Sequence, residues 1–361
     1  MPFLETPQRH DSGIIKPNGG VHSVGELQKR GFISHVTPAL LKAEVAHPVA
    51  ITATLLGLIQ PEDPHDPLAR QFVPQEEELE SFSLAQPDPI GDAAHSPVRG
   101  IIHRYPDRLL FNPIVCCPAY CRFCFRRSKV GASAGLLSRK EIERAVDYIR
   151  GHEEVGEVIL SGGEPLMLSP RRLRDIFRAL EAIPHIKKLR IHTRAPITIP
   201  EQFSPGLMTV LSGTTKPLTM LIHCNHPREL GETARHVMAK LHSAGITLLS
   251  QSVLLKGVND NLETLTELMR AFVDCGIKPH YLHHPDLVAG TRHFRLSLES
   301  GRALVQQLHE ILPETHRPTY ILDIPGGAGK VSILSDRVQK TEQGWLVEND
   351  KGEQFVYDDA D

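Results

Sequence analysis

Apolar and polar positions divide this chain into two regimes. Up to about residue 100 the text is broken and polar, rich in Pro, Asp, Glu and His, as in PEDPHDPLARQFVPQEEELE (61–80). Only a few short amphipathic helices fit there, such as one around HVTPALLKAEVA (35–46). From about residue 109 the pattern becomes regular. Apolar runs at LLFNPIV (109–115), EVILSG (157–162), KLRIHT (188–193), LTMLIHCN (218–225), ITLLSQSVLL (246–255) and PHYLHH (279–284) read as strands. A seventh run, TYILDIP (319–325), follows the last long helical segment.

The segments between the runs carry helix signals. Ser138 and Glu141 form a capping box ahead of IERAVDYIRGH. Ser169 and Pro170 read as an N-cap and first helical residue before RRLRDIFRALEAI. NLETLTELMRAFVDCG closes on Gly276, a natural residue just past a helix end. Strand, helix, strand, repeated about six times, predicts an α/β fold with a parallel sheet and right-handed crossovers. Six units suit an open, partial (β/α)6 barrel whose chemistry sits at the C-terminal strand ends. The expected division is a mainly helical N-terminal region (1–100), the barrel (101–325), and a lysine-bearing loop with a tail (326–361). In the tail, WLVENDKGEQFVY predicts a small hairpin turning near Asn349 to Gly352.

Charge and hydropathy narrow the function classes. The 361 residues include 40 basic and 43 acidic ones, which leaves no general basic footprint for nucleic acid. The opening MPFLETPQRHDSG lacks the basic-then-apolar pattern of a secretory leader, and no apolar run approaches a bilayer span. These features predict a cytoplasmic protein that engages no membrane. In that compartment clustered cysteines more often bind metal or react than form disulfides.

The stretch CCPAYCRFCFRR (116–127) holds four of the six cysteines. Cys117, Cys121 and Cys124 have the spacing C-x3-C-x2-C. Three thiolates on a [4Fe–4S] cluster leave one iron open to a chelating small molecule. Cys116, Cys121 and Cys124 alternatively fit the C-x4-C-x2-C spacing of plant ferredoxins, with Cys224 or Cys275 as the fourth ligand. Zinc is a further rival, although no second C-x2-C or nearby His pair completes such a site. Four buried thiols with no metal is the remaining alternative.

The cysteine spacing, with Phe123 before the last Cys, resembles the signature of the radical S-adenosylmethionine (SAM) enzymes. SGGEPL (161–166) resembles their glycine-rich SAM motif, one strand further on. HRYPDR (103–108), CRFCFRR (121–127), HCNHPREL (223–230), SQSVLLKGVND (250–260), HFR (293–295) and PGGAGK (325–330) together resemble the lysine 2,3-aminomutase family, from about DPLARQF (66–72) to Lys330. PGGAGK also looks like a phosphate loop. A P-loop needs Gly where Ile324 stands and Ser or Thr where Val331 stands, so that reading fails. A lysine on a glycine-rich loop beyond a strand end suits an imine link to pyridoxal phosphate (PLP), the glycines letting the loop move.

The resemblance implies a TIM-like radical SAM barrel and assigns roles by position. Cys117, Cys121 and Cys124 would hold the [4Fe–4S] cluster. Ser161, Gly162, Gly163 and Glu164, with His223, Asn225 and Gln251, would line the SAM pocket. Arg104, Tyr105 and Arg108 would contact PLP, and Lys330 would carry it. Arg126 would clamp the substrate carboxylate, where a guanidinium fork fits. Asp286 and Asp323 would bind the distal ammonium of lysine. Two carboxylates facing one site repel unless a cation lies between them. The competing role for Asp286 is pairing with Arg292 or Arg295.

The implied reaction converts L-lysine to β-lysine by moving the α-amino group to Cβ, with an electron donor such as flavodoxin or ferredoxin as partner. The same chemistry on arginine or another amino acid, service to elongation factor P modification, and a ferredoxin-like electron carrier are the competing functions. Longer family members carry a zinc-binding cysteine after the VND motif and cysteines near the C-terminus. Here Asn261 follows Asp260 and no cysteine lies beyond Cys275, which argues against structural zinc and leaves homo-oligomerisation open.

Overall fold

A β-hairpin opens the regular part of the chain: β1 (Ile101–Tyr105) turns back into β2 (Arg108–Ile114). Six strands then add in chain order, each parallel to the last: β3 (Glu157–Gly162), β4 (Lys188–Thr193), β5 (Leu218–His223), β6 (Thr247–Val253), β7 (Lys278–His283) and β8 (Thr319–Ile324). β9 (Gly329–Ser332) returns antiparallel along β8 and completes a curled nine-stranded sheet. A second sheet joins β10 (Val338–Thr341), β11 (Gly344–Glu348) and β12 (Gln354–Tyr357). The computed structural model describes residues 14, 19–130, 135–342 and 344–359; the expectation about the first thirteen residues falls outside that set. Among the described residues no helix is long and apolar enough to cross a membrane.

The predicted strands appear within a residue or two, and the expected caps form. Ser138 and Glu141 make a reciprocal capping box on helix Arg139–Arg150, Ser169 caps Pro170–Glu181, and Gly276 (φ +72°) follows helix Leu262–Asp274. One parity of the strands packs under the helices. Leu109, Phe111, Val158, Leu160, Leu189, Ile191, Met220 and Ile222 are almost fully buried there against Val146, Ile149, Ile176 and Phe177. Each such side chain contributes about 1.5–3 kcal/mol by leaving water. The other parity, including Asn112, Ser161, His192, His223, Gln251, His283 and Asp323, is left for the concave face.

Two features depart from the expectation, and one bears out its open barrel. First, the N-terminal region is less helical than predicted. Short helices at Val24–Lys29, Pro38–Ala46, Ala53–Leu56 and Pro67–Phe72 alternate with irregular backbone, because proline and glycine interrupt each run. Second, the sheet edges β1 and β9 are bridged by residues 89–95 rather than paired. The Gly326 amide donates to the Pro89 carbonyl at 3.0 Å, and a Cβ on Gly91 would lie 2.4 Å from the Gly326 oxygen. Third, Lys330 stands on a strand, not on a loop. Gly326, Gly327 and Gly329 take φ of +77°, +87° and +116°, which reverses the chain and sets Lys330 opposite Asp323.

The tail hairpin forms as β11–β12, with its turn at Asn349–Gly352. It also supports the barrel. Asn349 Nδ2 donates to the Ala328 carbonyl at 3.0 Å, inside the glycine turn before Lys330.

Candidate active site

The cysteine loop begins where β2 ends and is pinned from outside by the N-terminal region. Buried Arg122 donates to both oxygens of buried Glu78 (2.8 and 2.6 Å) and to the carbonyls of His47 and Pro48 (2.9 and 3.0 Å). Arg127 donates to the same Glu78 at 2.6 Å. Removing one partner of such a buried set costs about 3–5 kcal/mol.

The half-buried thiols of Cys117, Cys121 and Cys124 share one space. Burial pushes the Cys117 thiol well up, and the neighbouring Cys124, Glu164, Cys121 and Cys116 push it further. Burial with Cys121 alongside pushes Cys124 up to about 11. Thiols that raise one another in this way ionise together only around a strong cationic centre. Among the described residues no three His, Cys, Asp or Glu converge on a single-ion site. A cluster spreads its thiolates over separate irons, and three neighbouring thiols suit that donor set. The thiols of Cys224 and Cys275 are placed elsewhere: Cys224 Sγ lies 3.3 Å from the His226 carbonyl, and Cys275 caps helix Leu262–Asp274.

SGGEPL lies directly behind this loop, and its glycines serve close backbone packing. A Cβ on Gly163 would lie 2.2 Å from the Cys116 oxygen, and one on Gly162 would lie 2.5 Å from the Ile114 oxygen. The Gly163 and Glu164 amides are spent on the Ile114 and Cys116 carbonyls, both at 2.9 Å. Those two amides hold the turn against the cysteine loop. The Glu164 carboxylate is likewise internal: it accepts from the Leu166 amide (3.0 Å), Thr193 Oγ1 (2.7 Å) and the Arg194 amide (2.8 Å).

His223 and Gln251 are register partners on β5 and β6. His223 Nε2 is buried with no protein partner, and its ring meets Phe123 edge-on at 5.7 Å. Asn225 lies beside His223 and is also held within the fold. Its amide donates to Gln71 (3.1 Å) and its carbonyl accepts from the Val253 amide (2.9 Å). His192 Nε2, His283 Nε2 and Asn112 Oδ1 are also buried without protein partners. These strands thus carry several polar atoms that a polar guest would satisfy.

Asp92, in the bridging segment, joins two of the expected arginines. It accepts from Arg126 Nε at 2.9 Å and from Arg104 Nη2 at 3.3 Å. Arg104 also donates to the Ile90 carbonyl, while its Nε is buried and unpartnered, which suits an anion. Tyr105 and Arg108 do not join this group. They stack on each other at 4.2 Å, at the start of β2, and Arg108 pairs with Asp107.

Asp286 and Asp323 are brought together with Lys330. Lys330 Nζ donates to Asp323 Oδ1 at 2.5 Å, and His283 Nδ1 lies 2.9 Å from the other oxygen. Burial opposes ionisation of Asp323, but Lys330 and His283 outweigh it and hold the carboxyl below the usual range. Burial and the Asp323 charge push Asp286 up to about 7. Arg295 does not neutralise Asp286 by a salt bridge; it donates to the Pro285 carbonyl (2.5 Å) and to Tyr357 of the tail (2.8 Å). Nor does Arg292 pair with Asp286 among the described residues.

Asp92, Gln71, Arg194, Glu229 and His283 were not singled out from sequence. Gln71 and Glu229 lie in quoted segments, DPLARQF and HCNHPREL, and His283 stands at a strand end three residues before Asp286.

Residues 111–269 match the model of the radical SAM superfamily. The L-lysine 2,3-aminomutase of Clostridium subterminale is 37% identical over 290 residues, covering 80% of this chain and 70% of that protein. The L-lysine 2,3-aminomutase of Escherichia coli K12 is 38% identical over 271 residues, covering 75% and 79%. The protein of that name from Acetoanaerobium sticklandii is 35% identical over 314 residues, covering 87% and 76%.

Proposed function

The chain belongs to the lysine 2,3-aminomutase family of radical SAM enzymes, and from that premise we propose that it is a PLP-dependent isomerase converting L-lysine to β-lysine. A [4Fe–4S] cluster and SAM come with the family. When bound, these two supply the radical chemistry that opens a C–H bond, and PLP supplies a carrier for the migrating nitrogen. Cys117, Cys121 and Cys124 would hold the cluster. His223 and Gln251 would face SAM, while Gly162, Gly163 and Glu164 keep the cysteine loop and the end of β4 in place. Arg104 would take the PLP phosphate and Lys330 its aldehyde carbon.

The substrate reading rests on one observation: half-buried Asp286 and buried Asp323 repel each other, and Lys330, which eases both charges, donates to Asp323 alone. An imine link to PLP would draw the Lys330 nitrogen off Asp323, and the substrate amine that takes its place on PLP would release it. A distal ammonium on the substrate restores the balance. Arg126 lies within electrostatic reach of Asp286, so a zwitterionic amino acid can place its carboxylate on Arg126 and its far cation on the acids. The surrounding burial keeps water from competing with either contact.

The test is anaerobic incubation with SAM, PLP, a reductant and each free amino acid, followed by product identification. β-Lysine from lysine is the expected result. Turnover of arginine with none of lysine would move the assignment to the guanidinium substrate. Cluster absorption with no PLP binding and no turnover would favour an electron carrier.

A further inference from the structure

We propose that Arg194 tunes the iron–sulfur cluster by donating a hydrogen bond into the sulfur of Cys121, and that Glu229 limits how strongly it does so. This rests on the reading that Cys121 is a cluster ligand. Arg194 follows the last residue of β4 and is buried. Its Nη1 lies 2.9 Å from Cys121 Sγ. Its Nη2 donates to Glu229 Oε2 at 2.6 Å and to Gln71 Oε1 at 2.7 Å. The guanidinium lies over the Phe72 ring at 4.6 Å and the Phe123 ring at 5.6 Å. Its backbone amide is held by Glu164 at 2.8 Å.

This orientation is fixed from several sides, so the contact to sulfur is not a side effect of a mobile chain. A mobile arginine would leave a buried thiolate for water; this one is walled in by two aromatic rings. Reducing the cluster adds one negative charge. A full cation hydrogen-bonded to a ligand sulfur favours the state with more negative charge, and hydrogen bonds to the sulfurs are among the levers that set cluster potentials. Glu229 opposes this, but it acts from the Nη2 side, with the guanidinium between it and the sulfur. Its other oxygen is occupied by Gln71 Nε2 and by the Asn225 and His226 amides, at 3.0–3.1 Å. The net effect at the cluster is positive, and neutralising Glu229 should enlarge it.

The experiment is a redox titration of the reconstituted enzyme, reading the reduced cluster by electron paramagnetic resonance, with iron content measured on every sample. Arg194→Met combined with Glu229→Gln removes the donor without stranding a buried carboxylate. At a fixed ambient potential its ratio of reduced to oxidised cluster should fall about tenfold, ~59 mV for a one-electron couple. Glu229→Gln alone should shift the ratio the other way. An unchanged midpoint in the iron-loaded double variant, or no rise in Glu229→Gln, overturns the proposal. If the double variant fails to load iron, the Glu229→Gln result decides. Failure of the unsubstituted protein to load iron would instead refute the cluster assignment on which the proposal stands.

Discussion

Lys330 Nζ lies 2.5 Å from Asp323 Oδ1, directly across the β8–β9 pair. The proposed PLP lysine is therefore ion-paired with one of the two acids proposed to receive the substrate cation. On that proposal, a Lys330 nitrogen linked to PLP would no longer donate to Asp323 as an ammonium, and the substrate amine that displaces it would set it free again.

Lys330→Ala tests the role proposed for the lysine. It should abolish the covalent PLP adduct trapped by borohydride and lower lysine turnover on the order of 10³-fold or more. Iron content and SAM cleavage should persist, because the cysteine loop uses different ligands. Mass spectrometry that locates the reduced adduct on another lysine would remove Lys330 from this role.

Asp323→Asn tests the role proposed for the acid. Losing a buried charge contact to the substrate costs on the order of 2–5 kcal/mol, about 30-fold to several thousand-fold in kcat/KM. The cluster should load normally. Asp323 also anchors His283 (2.9 Å), so thermal stability is the control that separates loss of binding from loss of structure. Near-normal kcat/KM for lysine would end the case for Asp323 as a cation receptor.

At the cluster, alanine at Cys117, Cys121 or Cys124 should abolish iron loading, whereas Cys116→Ala should not. Burial and the neighbouring Cys124 raise the Cys117 thiol. The ferredoxin-type spacing predicts the reverse for Cys116 and Cys117, and iron analysis of the two variants distinguishes them.

The tail offers a further test. Buried Asn349 donates to Ala328 and accepts the amides of Lys351 and Glu353 (2.9 and 3.0 Å). Asn349→Ala should cost about 1–3 kcal/mol of stability by stranding these groups. It should also weaken PLP retention, because Ala328 lies two residues before Lys330. Unchanged melting temperature and PLP content would show that the tail only covers the barrel.

The strands β2 to β8 were legible because their helix-facing positions are mostly large apolar residues, and the helices because their caps are local. The edges β1 and β9 were not, since IIHRY and GKVS carry little apolar signal and are defined by their pairing. The same limit governed the site. Cys117, Lys330 and Asp323 stand in motifs, whereas Arg194 gains its meaning from Gln71, 123 positions away, and Arg126 from Asp92, 34 positions away. Asn225 stands in a motif, and its side chain is also held within the fold by Gln71 and Val253.

The pH dependence of catalysis carries the sharpest test of the acid pair. Burial and the Asp323 charge push Asp286 up to about 7 in the enzyme without substrate. A carboxyl with a raised pKa is protonated below that value and ionised above it. Only the ionised form can share a substrate ammonium with Asp323. As pH falls below about 7, kcat/KM for lysine should therefore decline towards a tenfold loss per pH unit, because kcat/KM reports ionisations of the free enzyme. Bound lysine supplies the missing cation and lowers this pKa, so kcat should hold to lower pH than kcat/KM. Asp286→Asn should lower the plateau and erase the acidic limb, which leaves a flat profile between about pH 6 and 7. The measurement is kcat/KM against pH for the two proteins with cluster and PLP content matched. An acidic limb that survives in Asp286→Asn would assign the ionisation to another group and separate Asp286 from recognition of the substrate cation.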